Sequence, residues 1–156
     1  PGTEESAPPT VGSPRSLVRQ TLQVRISPDG RWAAYTSMTT EPPQVFVAAF
    51  PSFTHQQQLS VRGGVTPQWG RNGRELFYLT PEGELMAVEI AIGAALEASE
   101  PRRLFQTKTN PRPAIPTFAV AADGERFLVL DRVAPAAGNE APDGLDIIVN
   151  WPGLVQ

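Results

Sequence analysis

Three glycines, Gly30, Gly73 and Gly124, each sit in a tight turn between two apolar runs, and this recurrence constrains the fold more than any other feature of the chain. The stretches "VRISPDGRWAAYT", "PQWGRNGRELFYL" and "FAVAADGERFLVL" align on these glycines without a gap. The preceding residue is Asp29, Asn72 or Asp123, types that tolerate left-handed backbone or close a turn with a side-chain hydrogen bond. Glycine then takes positive φ without steric cost. The pattern predicts three β-hairpins, with these six residues as structural turn positions.

Beyond each glycine lie "RWAAYT", "RELFYL" and "ERFLVL", nearly all apolar after the first residue. Such runs predict strands buried on both faces, unlike the alternation of a half-exposed sheet. Third strands follow at 44 to 50, 84 to 90 and 145 to 151. More polar fourth strands are expected at 55 to 61 and 101 to 107, and "PRSLVRQ" at 14 to 20 is a further example ahead of the first hairpin. The nearest approach to a helix, "ELMAVEIAIGAALEASE", alternates in its first half and is interrupted by Gly93. The fold class is therefore all-β. Twelve strands make three four-stranded antiparallel blades, and the glycine spacings of 43 and 51 residues match the repeat of about 40 to 50 in β-propellers.

"ISPDGRWAAYTS", "TPQWGRNGRELFYL" and "VAADGERFLVL" resemble the TolB-like β-propeller repeat, whose hallmark is a Ser-Pro-Asp-Gly-Lys/Arg turn. The first copy carries that turn whole; the second reads Gly70-Arg71-Asn72-Gly73, and the third has Ala121-Ala122 in place of Ser-Pro. The run from "PQWGRNGRELFYLTPEGELMAVEI" through "PRRLFQT" to "IIVNW" is similar to the C-terminal propeller of many bacterial serine/threonine protein kinases. That resemblance implies a sensing or docking module, cytoplasmic or membrane-tethered, behind a kinase. Two other homes for such a propeller are a prolyl-oligopeptidase-type hydrolase and a periplasmic TolB-type scaffold.

The 156 residues, 40% of them hydrophobic, suffice for one domain with a sizeable core. A net charge of -3 without a run of either sign argues against nucleic-acid binding. No stretch approaches the roughly 18 consecutive apolar residues of a membrane span, so no membrane contact by this segment is expected. The absence of cysteine removes disulfides and thiolate sites. Residues 1–13, "PGTEESAPPTVGS", read as a disordered linker, and residues 14–156 as a partial propeller. With no initiator methionine, the chain is expected to be part of a longer protein.

Catalytic and metal-binding motifs are weak. His55, the sole histidine, begins a polar outer strand and has no Gly-x-Ser-x-Gly partner motif. Glu140, Asp143 and Asp146 lack the alternating oxygen ligands of a calcium loop. Kinase phosphate-loop and catalytic-loop motifs are missing. The segment is read as non-catalytic, with no cofactor and no metal. Arg25 and Gln68, at matched first-strand positions, are the candidate channel or ligand contacts, and the insertions at 37 to 43, 108 to 116 and 132 to 144 are candidate docking loops.

Three blades fall short of the four to eight with which propellers close, leaving an apolar face bare at each end. Either the remaining blades come from a longer parent chain, or two copies form a six-bladed homodimer. The functional expectation is binding of a protein partner or a small ligand.

Overall fold

The computed structural model describes residues 20–70, 72–92, 96–121, 123–130 and 145–148. Among them there is no helix, and twelve strands form three antiparallel sheets. The first contains β1 (Thr21–Ile26), β2 (Trp32–Ser37), β3 (Gln44–Ala49) and β4 (Gln57–Gln58), neighbours in chain order. The second contains β5 (Val65–Trp69), β6 (Glu75–Leu79), β7 (Glu84–Ile92), β8 (Leu96–Ala98) and β9 (Arg102–Gln106). The third contains β10 (Phe118–Val120), β11 (Phe127–Leu130) and β12 (Leu145–Ile148).

The strands are thus divided four, five and three among the described residues, and not four to each sheet. The extra strand arises because β7 runs on to Ile92. Its start pairs with β9 (Leu85 with Phe105) and its end with β8 (Ile90 with Ala98). The outer strand is consequently delivered in two pieces. At the break Pro101 has no amide to donate, and Ser99 bridges instead: its amide donates to the Glu89 carbonyl and its hydroxyl accepts the Glu89 amide, both at 3.0 Å. The expected strand at 55 to 61 shortens to two residues, although the Leu59 amide still donates to the Val45 carbonyl at 2.8 Å. Residues 1–13, and the candidate strand at 14 to 20 apart from Gln20, lie outside the described residues, as do 132 to 144 and Trp151.

The sheets pack in series through two cores. Trp32, Ala34, Val45 and Val47 of the first sheet meet Leu76, Tyr78, Met86 and Val88 of the second. On the reverse side of the second sheet, Phe77, Leu79, Leu85 and Leu104 meet Phe118, Phe127 and Val129 of the third. Consecutive strand residues point to opposite faces, so Leu76 to Leu79, at most 2% exposed, are covered on both sides. We call the side of each sheet that faces the next one forward, and the other side rear. The Phe77 and Phe127 rings meet edge to face at 5.0 Å between centroids.

The two outer faces differ. On the rear of the first sheet Tyr35 is buried, stacking on Phe46 at 5.9 Å and leaning on Phe53 at 6.1 Å. On the forward face of the third sheet Leu128 and Leu130 are 37% and 43% exposed. Aromatic residues of β3 and the loop after it thus cover Tyr35, but Ile26, paired with Ala33 on that same face, and Val24 of the same strand are each 42% exposed, so both outer faces keep exposed apolar side chains. The expectation that all three second strands are buried on both faces holds for β2 and β6 but not for β11, which alternates buried and exposed.

Candidate functional site

The three hairpins share one backbone geometry. Gly30, Gly73 and Gly124 donate to the carbonyls of Ser27, Gly70 and Ala121 at 2.9 to 3.0 Å, with φ of +72°, +65° and +76°. The amides of Ser27, Gly70 and Ala121 each donate to a carbonyl five residues on, at 2.8 Å. Side chains reinforce this differently in each copy. Ser27 donates to Asp29 and accepts the Trp32 amide at 2.9 Å, while Asp29 also accepts the Arg31 amide at 3.1 Å. The Ser27 hydroxyl is the main cause holding the Asp29 carboxyl below its ordinary range. Asp123 accepts the Glu125 amide at 3.0 Å and pairs with Arg126 at 2.7 Å; the amide is the larger cause of its lowered pKa.

Strand alternation brings the turns to one end of the molecule. Pro28 of the first turn lies over Gly73 of the second, where a Cβ would come within 3.3 Å of the proline Cδ. Beside this contact is an open depression of about 650 Å³, lined by Asp29, Asn72, Arg74, Glu75 and Glu89 together with Ile90 and Ala91. A second depression, of about 260 Å³, lies between Asn72, Arg74, Glu75 and Asp123. Asn72, Arg74 and Glu75 border both, so they form a ridge in a groove that crosses all three turns. Among the described residues Arg74, Glu75 and Glu89 form no ion pair with one another or with a neighbour. The groove therefore presents unengaged charge of both signs with a carboxylate excess, suited to ion pairing with a partner.

The sequence-derived sites fall elsewhere. Arg25 and Gln68 are half-buried on β1 and β5, in register with Ala34 and Phe77, and line neither depression. The Arg25 carbonyl accepts the Trp69 indole at 2.9 Å, which ties the first two sheets together. His55 is exposed, with Nδ1 3.1 Å from the Thr54 hydroxyl. Glu140 and Asp143 lie outside the described residues; of Asp146, the backbone belongs to β12. No group of three potential metal ligands occurs among the described residues. The loops at 37 to 43 and 108 to 116 lie at the opposite end of the sheets, where Glu84 pairs with Arg62 at 3.3 Å and Arg103 at 3.2 Å. Arg74 and Glu89 were not singled out in the sequence, since only the pairing of β6 with β7 brings them together; a polar residue in the first position after a turn glycine was the available hint.

No family model matches the chain, and no curated protein matches it. Among solved structures it is similar to a candidate 6-phosphogluconolactonase from Bacteroides uniformis, with a TM-score of 0.51 and 15% identity over 83% of this chain and 36% of that one. A protein of unknown function from Desulfotomaculum acetoxidans aligns with a TM-score of 0.42 and 14% identity, over 83% of this chain and 54% of that one. The chain thus spans about a third of the length of the first of these proteins. At 15% identity that likeness concerns the fold alone: this chain has the fold of part of a larger protein.

Proposed function

We propose that the chain is a non-catalytic module for protein interaction or ligand sensing, built as three blades of a β-propeller within a larger bacterial signalling protein of the serine/threonine kinase type. The observation that carries this reading is the serial packing. Each sheet repeats the same hairpin, and the first two bury their forward faces on the next sheet. Leu128 and Leu130 occupy on the third sheet the positions that Phe77 and Leu79 hold, fully buried, on the second. A series of this kind is completed by further sheets of the same repeat, as in propellers of four to eight blades. Those sheets come from the parent chain or from a second copy.

The groove at the turn end supports recognition over catalysis. It offers unpaired charges on a rigid scaffold, where binding surfaces commonly lie, and no nucleophile with an adjacent base is among its lining residues. The test is to detect the native polypeptide in its source cells with an antibody raised against residues 20–130, and to sequence its amino terminus. A product several times longer than 156 residues, with kinase motifs upstream, is expected. A product of 156 residues, or one with a hydrolase nucleophile motif in the kinase's place, would overturn the kinase-module reading.

A further inference from the structure

Seven residues before each turn glycine stand Gln23, Thr66 and Thr117. Gln23 and Thr66 lie on the inner edge strands β1 and β5, and Thr117 immediately precedes β10, the inner edge of the third sheet. These strands are neighbours, β5 contacting both β1 and β10. At all three places the side-chain polar atoms are buried and have no hydrogen-bond partner: both amide atoms of Gln23, and the hydroxyls of Thr66 and Thr117. Thr66 is 0% exposed and Thr117 6%. The Thr36 hydroxyl, on the strand paired with β1 beside Gln23, is likewise buried and unpartnered.

The backbone marks the same spot. The register between β1 and β2 shifts by one residue between Leu22 and Arg25, and that between β5 and β6 shifts between Val65 and Gln68. Within these bulges Gln23 has φ of +53° and Thr66 of +56°. A β-branched residue there is strained, and bulges serve to re-aim a side chain. Two copies therefore hold an unfavourable backbone in order to direct a polar group into a buried place where the protein offers it no partner. Native proteins seldom leave such groups empty.

We propose that Gln23, Thr66 and Thr117, with Thr36, form an internal site on the inner strands for neutral hydroxylic molecules. The donor set determines that class. It contains amide and hydroxyl groups that both give and accept hydrogen bonds, and no charged side chain, so it favours a hydroxyl over an ion. Two sources share this chemistry, solvent water and a small polyol. The site is independent of the kinase reading and of the groove at the turn end.

The test uses the full chain and the isosteric Thr66→Val, with Thr66→Ser as the conservative control. If the site is occupied, Thr66→Val lowers the thermal midpoint by about 3 °C or more and Thr66→Ser restores most of it. An unchanged or raised midpoint in Thr66→Val would overturn the proposal, because removing an empty buried hydroxyl is neutral or stabilising. A crystal structure should show density within hydrogen-bonding distance of the Thr66 hydroxyl, and its absence there would also sink the idea. Titration with myo-inositol separates the sources: a saturable rise in midpoint, lost in Thr66→Val, identifies a polyol site, and no saturable rise identifies water. A saturable rise with sodium phosphate that Thr66→Val abolishes would refute the selection for neutral molecules.

Discussion

Gly30 and Gly73 hold equivalent turn positions in different surroundings. A Cβ at Gly30 meets nothing within 4 Å, whereas at Gly73 it meets Pro28 at 3.3 Å. Gly30→Ala should therefore cost only the left-handed backbone penalty of about 1 to 2 kcal/mol, and Gly73→Ala should cost more because the two turns must also part. Urea midpoints of the two variants check the order. Asp29 carries the second expectation. Its pKa is lowered in the folded state, chiefly by the Ser27 hydroxyl, so its stabilising contribution is present above the ordinary value of 3.8 and is lost as pH falls through the folded value. Ser27→Ala should raise the Asp29 pKa towards 3.8 and make the acid side of the stability curve shallower, as followed by carboxyl-carbon NMR titration and acid unfolding. The exposure of Asp29 keeps the effect small. Turn geometry was legible because glycine is favoured where the turn needs positive φ, and Asp or Asn where a side chain closes the turn by accepting an amide. The polar groups at Gln23, Thr66 and Thr117 were not, since Thr and Gln are ordinary strand-edge residues until their partners are known to be missing.

At the level of the strand, the same repeat position can be core or surface. Phe77 and Leu128 are equivalent, yet Phe77 is 1% exposed and Leu128 37%. Phe77→Ala should lose about 3 to 5 kcal/mol through a cavity beside Phe127, while Leu128→Ala should lose less than about 1 kcal/mol. Thermal unfolding of the pair tests this. Apolar runs located the second strands because uninterrupted hydrophobicity is required wherever both faces are covered. The same reasoning overreached at β11, whose composition is suited to two covered faces although only one is covered here. It also missed β8, which pairs antiparallel with the end of β7, because the stretch around Gly93 reads only as an interrupted helical pattern. Boundaries of polar outer strands are intrinsically faint in sequence, since solvent on one side relaxes the residue pattern; β4 shows this by shrinking to Gln57 and Gln58.

For the molecule as a whole, the exposed pair Leu128 and Leu130 should govern association. In sedimentation velocity the apparent mass should rise with protein concentration, and the double substitution Leu128→Lys, Leu130→Lys should suppress that rise without lowering the thermal midpoint by more than a few degrees. A concentration-dependent mass that survives both substitutions would assign association to another surface. Of the candidate groove, only Asp29, Asn72, Asp123 and their glycines could be read from the chain, as turn formers; Arg74, Glu75 and Glu89 join them through pairing across β6 and β7 and through packing of sheet on sheet. Although Phe46 and Phe53 cover Tyr35, both ends of the stack carry exposed apolar side chains, Val24 and Ile26 on the first sheet and Leu128 and Leu130 on the third. Each end is an open surface of the same repeat, so like sheets can extend the stack from either side, as on a thread cut at both ends. Two copies joined at one pair of ends still present the other pair to each other, and a two-fold arrangement that joins both pairs closes the ring at two copies.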